Sequence, residues 1–436
     1  MDSQPLFIQQ KIIHHSSFYY LCMEKLAIIG TGIAGMGCAH LLQHKYDLTI
    51  FEKNDYVGGH TNTITVDEDG SPVYMDTGFM VFNFVTYPNL CKLFEEIKAR
   101  IKKTDMSFSV QHVPSGLEYC GSGLNGLFAQ RKNIFNTRYI KMLTQISRFN
   151  TESIKILDNP KYEDYSIKEF ITEFNFGDDM LWKYLVPMSS AVWSTPMEKM
   201  LDFPATALIR FFKNHGFLGL NTQHQWYTLI DGSQSYREIL IKPFKNRIRI
   251  NSGVVKVSRK NNKAVVHTPA GMTEEFDKVV FACHADQALR LLEQPTPIEQ
   301  QLLSPFKYQE NIATVHTDES IMPKNRRTWS SWNYRIEERN GKLLPTTIYW
   351  MNSLQQVSKK KNYFVSIGAL PGSIKTKKVI KEIEYEHPLF DVPAIQAQKE
   401  LHLLNEQGIL HYCGSYFKYG FHEDAYASAV ELCKRL

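Results

Sequence analysis

The stretch KLAIIGTGIAGMGCAHLLQHKYDLTIFE, residues 25–52, decides the fold. Its first five residues, Lys25 to Ile29, are a short apolar run of the kind that forms a buried parallel strand. The run leads into Gly30-Thr31-Gly32-Ile33-Ala34-Gly35, after which Ile33, Met36, Ala39 and Leu42 recur at helical intervals. Residues 47–52 then read as a second strand that ends on an acid, Glu52, placed 22 positions after Gly30. Strand, glycine-rich turn, helix, strand and acid together make a dinucleotide-binding βαβ unit. Glycines at this spacing recur by chance, but here every flanking element agrees with them.

Each part has a physical task. Gly30 permits the tight turn, Gly32 lets a pyrophosphate approach the backbone, and Gly35 lets the helix pack close to the strand. The helix start offers unpaired N–H groups and its positive dipole end to phosphates. Glu52 is placed to accept ribose hydroxyls and would repel a 2′-phosphate, which disfavours NADP. Six residues past Glu52 comes a second pair, Gly58-Gly59, which lets another loop pass the pyrophosphate. Plain NAD dehydrogenases lack that pair; the extended form, E-x5-G-G, resembles that of flavoproteins, and the resemblance implies FAD rather than NAD.

Working outward, the chain has 436 residues, 50 Lys+Arg against 45 Asp+Glu, and 43% hydrophobic residues. This is a globular composition, long enough for two or three domains. No apolar run reaches the length of a membrane-spanning helix. A formal charge of +5 is too small for this length to indicate nucleic acid, though it mildly favours an anionic ligand or lipid surface. Seven scattered cysteines with no C-x-x-C pair suggest reduced thiols and no zinc site. Residues 1–22 lack the features of a signal peptide and are expected to be a tail outside the fold, with Met23 at its start.

The landmarks continue along the chain: GGHTNT at 58–63, DTGFMVFN at 76–83, Trp226 with Asp231-Gly232-Ser233, ACHADQAL at 282–289, Trp329 to Tyr334, and Tyr412-Cys413-Gly414 leading to Gly420-Phe421-His422-Glu423-Asp424. With the E-x5-G-G motif, this set resembles the amine-oxidase-like FAD-binding flavoproteins, relatives of protoporphyrinogen oxidases and phytoene desaturases. Within them it resembles the branch associated with cyclopropane-fatty-acyl-phospholipid synthases. The resemblance runs from about residue 25 to 430. It departs from true amine oxidases at His60, where those carry Arg, and from the branch's own usual pattern at Ala425, where Gly is the more common residue.

The resemblance implies an α/β fold: a discontinuous Rossmann-like FAD-binding domain (23–95, 221–290 and 396–436) with an inserted mixed α+β substrate domain (96–220 and 291–395). The cofactor-binding set it implies is Gly30, Gly32, Ile33, Ala34, Gly35, Glu52, Lys53, Gly58, Gly59, His60, Thr61, Gly78, Val254, Gly414, Glu423 and Asp424. Val254 would meet the adenine, and a helix over 425–435, with Asp424 as its N-cap, would point its positive end at the flavin. His422 and Glu423 are the catalytic candidates beside the isoalloxazine, His422 relaying a proton because imidazole titrates near neutral pH. The bland alternative is that both only tie loops around the flavin. No metal is expected; His284 and His316 read as structural. Trp193, Trp226, Trp332, Tyr334, Tyr349 and Trp350 would line a channel for an apolar substrate, although aromatics are more often plain core.

The implied reaction is hydride transfer from an apolar substrate, an acyl lipid, to flavin N5. A cyclopropane-fatty-acyl-phospholipid synthase is the implied functional partner. A cytoplasmic location with peripheral contact at the inner face of a membrane would suit such a substrate. The competing readings are a flavin amine oxidase, a carotenoid- or porphyrin-type oxidase, a sugar mutase, and a non-catalytic lipid-binding protein on the same fold.

Overall fold

The computed structural model describes all residues except 1–22, 220–221, 270 and 407. The expected N-terminal tail therefore lies outside the described residues. The chain forms two compact units, one of 23–59, 240–304 and 400–436, the other of 60–239 and 305–399.

The first unit is built on a five-stranded parallel sheet. Strand β1 (Lys25–Ile29) leads to helix α1 (Ile33–Leu42) and strand β2 (Asp47–Phe51); β3 (Ile248–Arg249), β4 (Lys278–Phe281) and β5 (Leu410–Tyr412) complete the order β5-β4-β1-β2-β3. Four of the five β1 residues are fully or almost fully buried, as a strand covered on both faces requires. Helix α2 (His422–Cys433) lies against α1, where Gly37 leaves room for the Tyr426 ring.

Beside this sheet, Lys256–Lys260, Lys263–His267 and Thr273–Phe276 form a three-stranded antiparallel sheet. Its first turn is Asn261-Asn262, both at positive φ, the conformation of a two-residue hairpin. In the sequence, alternation from Ile248 to Val257, a polar Asn-Asn turn and a return at 264–267 read as one hairpin; the observed hairpin starts later, at Lys256. Ile248–Arg249 instead pairs in parallel with β2, and 252–255 links the two sheets without regular secondary structure.

The second unit is organised by a seven-stranded sheet. Its order is Val379–Leu389, Lys307–His316, Phe364–Ile367, Lys342–Trp350, Trp332–Arg339, Phe108–His112, Leu117–Cys120, with the Trp332 and Phe108 strands parallel and the rest antiparallel. Helices include Thr137–Glu152, Ile167–Glu173, Val186–Trp193 and Ala205–Asn214.

Residues 60–95, 221–239 and 396–399, expected with the nucleotide domain, belong to this second unit, and 291–304 belong to the first. Buried hydrogen bonds account for the difference. Asp76 accepts from Thr63, from the N–H (2.8 Å) and hydroxyl (2.7 Å) of Ser233, and from Gln355 (2.7 Å), which locks three stretches of the second unit together. In the first unit Glu299 takes Arg259 and the Tyr412 hydroxyl, which holds helix Pro297–Leu303 there. None of the six described cysteines forms a disulfide.

Candidate functional site

The glycine-rich turn shows what each small residue is for. A Cβ on Gly35 would stand 1.9 Å from the Gly30 carbonyl oxygen, and one on Gly30 would stand 2.7 Å from that of Ala282. Turn, helix and strand are therefore in backbone contact, and no side chain fits at either position. Gly32 is the opposite case: a Cβ there would meet nothing within 4 Å. It is the N-cap of α1, with no side-chain cap and no acid in the first turn, where Ile33 and Ala34 are buried. An uncapped helix start behind an open glycine is a seat for an anion.

The second glycine pair lies on the first. Gly59 adopts φ +57°, and a Cβ on it would come within 3.3 Å of Gly32 Cα. Thr31 joins the two loops: its hydroxyl oxygen accepts the Gly58 N–H (3.2 Å) while its proton goes to Glu52. Glu52 is 5% exposed and also accepts the N–H groups of Thr31 (3.1 Å) and Asn54 (2.9 Å). A carboxylate has about four acceptor positions, so one remains for a further donor such as a ribose hydroxyl. Thr31 occupies a free position of the sequence motif, and motif spacing alone gives no signal for it.

Beside Glu52 runs the link that carries Val254. Asn251 donates to the Asn54 carbonyl (2.9 Å) and Ser252 to that of Glu52 (2.8 Å), two residues before half-buried Val254. Lys53 is exposed, with its Cβ against Gly253. These residues fit a dinucleotide as a set: an anion seat, a second loop over it, an acid with spare acceptor capacity, and an apolar residue alongside.

A second helix start belongs to the same unit. Gly37 and Tyr426, which touch, are each about one turn into α1 and α2, so the two N-termini are gathered close together. Gly414 donates its N–H to Ser428 of α2 (2.9 Å). The helix begins at His422, earlier than expected, with Phe421 as N-cap. Asp424 is therefore not the N-cap. It is the third helical residue, and its carboxylate turns back to accept the Phe421 N–H (2.9 Å).

Titration behaviour differs from the sequence expectation as well. His422 shows part of its surface to solvent, yet the protein around its ring pushes the imidazole down to about 3. It is neutral at neutral pH, so it does not titrate there as expected. Asp424, buried, is pushed up to about 7, mainly by desolvation and slightly by neighbouring Glu423; the Phe421 N–H and Lys418 pull the other way. The group that titrates near neutrality at this helix start is Asp424. Glu423 is buried beside it.

Three cofactor candidates lie in the second unit. The His60 ring stacks on Tyr385 (centroids 4.7 Å apart) and meets His387 edge-on at 5.3 Å. Thr61 is hydrogen-bonded to the Tyr236 hydroxyl (2.6 Å). Gly78 lies against the His60 backbone, where a Cβ would come within 2.3 Å of the carbonyl oxygen.

The aromatic candidates are mostly packed on other rings. Trp193 lies 4.7 Å from both Phe203 and Phe211, Trp226 stacks on His215, and buried Tyr334 donates to Ser190 (2.7 Å). Trp332 is different. Its indole N–H is buried and has no acceptor among the described residues. Two positions before Tyr334 in one strand, it points to the same face of the sheet. Leaving such a donor unpaired in the folded chain costs about 1–3 kcal/mol. His316 is held between Ser366 (2.8 Å) and the Asp318 N–H (3.1 Å) and is pushed down to about 4 by burial. Among the described residues no group of three acids, histidines or cysteines is placed to hold a metal ion, and no helix is long and apolar enough to cross a membrane.

Comparison with known proteins agrees with this geometry. The chain belongs to the flavin-containing amine oxidoreductase family, whose profile matches residues 33–360. Members of that family are FAD-dependent oxidoreductases, and FAD is the cofactor of this fold.

Among curated proteins, a 15-cis-phytoene desaturase of Synechococcus elongatus is 36% identical over 74 residues, 17% of this chain and 15% of that protein. A 1-hydroxycarotenoid 3,4-desaturase of a Flavobacterium is 51% identical over 43 residues, 10% of this chain and 9% of that protein. The chain thus matches only a small part of the length of these relatives.

Among solved structures, cyclohexylamine oxidase from Brevibacterium oxydans superposes with a TM-score of 0.67 at 12% identity, covering 94% of this chain and 99% of that one. A fatty acid isomerase from P. acnes superposes with a TM-score of 0.66 at 15% identity, covering 95% and 98%. These likenesses establish the amine-oxidase-like fold.

Proposed function

We propose that this protein oxidises an apolar substrate, an acyl lipid, with FAD supplying at N5 the acceptor for the substrate's hydride. The observation that carries the proposal is the double cradle, in which Gly59 lies over Gly32 at an uncapped helix start and Thr31 ties both loops to Glu52. In this reading Gly32, Ile33, Ala34, Gly58 and Gly59 hold the pyrophosphate, and Gly30 and Gly35 shape the turn that presents them. Glu52, Lys53 and Val254 hold the adenosine half; Gly414, Glu423 and Asp424 serve the flavin half, with His60, Thr61 and Gly78 as supporting residues. The α2 start favours negative charge at the group it faces. His422, neutral at working pH, acts there as a hydrogen-bonding partner. Asp424 is the group able to take or release a proton near neutrality.

An apolar substrate is supported by similarity to a phytoene desaturase and a hydroxycarotenoid desaturase, and its acyl class by similarity to a fatty acid isomerase. His60 in place of the arginine of true amine oxidases points away from amines. Contact with a bilayer surface, and cooperation with a cyclopropane-fatty-acyl-phospholipid synthase working on the same chains, belong to the same proposal.

The test is anaerobic mixing of purified holoprotein with phospholipids of saturated, unsaturated and methyl-branched chains, followed by flavin absorbance. Bleaching by an acyl lipid supports the proposal. Bleaching by amines alone would replace it with an amine oxidase, and a colourless protein that FAD cannot reconstitute would leave a binding protein.

A further inference from the structure

Residues 121–150 contain Arg131, Lys132, Arg138, Lys141 and Arg148 and not one Asp or Glu. The segment's five cations equal the formal +5 of the entire chain, so the rest of the protein balances to zero. A charge that looks diffuse in the composition is therefore concentrated on about a fifteenth of the sequence.

Two of these cations are engaged inward. Arg138 pairs with Asp179, and Arg148 covers the Phe176 ring and donates to the Phe174 carbonyl. Arg131, Lys132 and Lys141 are exposed and make no ion pair among the described residues; Arg131 is held by Phe128 O and Asn125, which fixes its place without neutralising it.

The same segment exposes apolar side chains that a protein in water normally covers. Phe135 is 89% exposed and Leu124 74%, with Ile134 and Ile140 exposed as well. Ile134, Phe135 and Ile140 line one open depression together with Lys141. Unpaired cations interleaved with protruding apolar groups match one surface above others. At a bilayer the apolar tips enter the acyl boundary while cations stay at the level of the phosphates. A nucleic-acid duplex would use the charge but offers no acyl layer to receive Phe135, Leu124, Ile134 and Ile140.

We propose that the segment 121–150 is a membrane-docking surface whose occupant is the head-group and upper acyl layer of an anionic bilayer. The inference deepens the bilayer-contact part of the proposed function and stands apart from its catalytic part.

The experiment is sedimentation of the FAD-loaded full chain with phosphatidylcholine vesicles, with and without phosphatidylglycerol. Binding is expected only to the anionic vesicles and should weaken as salt rises. Phe135→Ser is expected to weaken it about tenfold, and Lys132→Glu with Lys141→Glu by about tenfold or more. Ile380→Ser, an exposed apolar residue on another element, should leave it unchanged. All are surface changes, and unaltered flavin absorbance and melting would show that the fold is intact.

The proposal is overturned by vesicle binding absent under all conditions, by equal binding to neutral vesicles, or by patch variants that bind like the native chain. It is also overturned if the variants turn a dimer into a monomer, since the patch would then cover a second copy. Vesicle binding with no lipid-driven flavin bleaching would sink the acyl-lipid reaction and leave this surface standing. Bleaching in detergent with no vesicle binding would do the reverse.

Discussion

Thr31 donates to Oε2 of Glu52 twice, through its backbone N–H at 3.1 Å and through its hydroxyl. Because that hydroxyl oxygen also accepts the Gly58 N–H, one small side chain connects the glycine-rich turn, buried Glu52 and the second glycine pair. Thr31→Val keeps the shape and removes both side-chain bonds. A hydrogen bond to a buried carboxylate is worth about 1.5–3 kcal/mol, so stability should fall by about 2 kcal/mol and FAD affinity about tenfold. Thr31→Ser should restore both. Fluorescence titration with FAD and urea melts check this; native affinity in Thr31→Val would make the bridge incidental.

Gly32 and Gly35 separate the demands of cofactor from those of fold. Gly32 has φ −58° and ψ 175°, a conformation open to any residue, and open space where its Cβ would be. Gly32→Ala should therefore melt within about 0.5 kcal/mol of the native chain, as surface changes do. Its methyl would still stand where a pyrophosphate has to approach, so FAD affinity should drop about tenfold or more. Gly35→Ala should instead fail to fold, because its Cβ would overlap the Gly30 carbonyl. Tight FAD binding by Gly32→Ala would show that the anion seat lies elsewhere.

Those glycines also explain why the nucleotide unit was so legible in the sequence. Each stands where backbone meets backbone or a ligand, a demand only one residue type meets, and the apolar runs at 25–29 and 278–281 can be little but buried strands. The turn at Asn261-Asn262 was readable for the same local reason. What escaped depended on distant partners. Whether Asp424 caps α2 or folds back from its third position is decided by where the Phe421 N–H points, and both placements suit an acid at a helix start. Burial, invisible in sequence, reversed the roles of His422 and Asp424 in titration. The parallel pairing of Phe108–His112 with Trp332–Arg339 joins strands more than two hundred residues apart, and no local pattern encodes it.

Asp424 should leave a mark on stability against pH. Its folded-state value is pushed up to about 7, above that of an unfolded aspartate near 4, so the folded chain holds a proton that the unfolded chain has lost between those values. Stability from this group is full below about pH 4, declines through the window to 7, and is flat above it. Asp424→Asn, neutral and still able to accept from Phe421, should abolish that decline and be the more stable protein at pH 8, by an amount of order a few kcal/mol. Urea melts of the FAD-free chain at pH 5 and pH 8 measure the difference. An unchanged slope in the variant would mean that Asp424 is ionised throughout.

Trp332 offers a way to find the substrate's polar end. Its buried indole N–H lacks an acceptor among the described residues, on the strand that also carries Tyr334, while its ring rests edge-on against Tyr349 at 5.0 Å. Trp332→Phe keeps an aromatic ring and removes the donor. If a substrate oxygen normally accepts that N–H, the change should raise KM about fivefold, the worth of one neutral hydrogen bond, and leave kcat nearly unchanged. Melting should shift little, since the lost packing is offset by removal of an unsatisfied polar group. Steady-state kinetics of the FAD-loaded variant, read beside its melting curve, separates the two roles. An unchanged KM with a clearly lower melting temperature would make Trp332 a packing residue, and the missing acceptor would then be water.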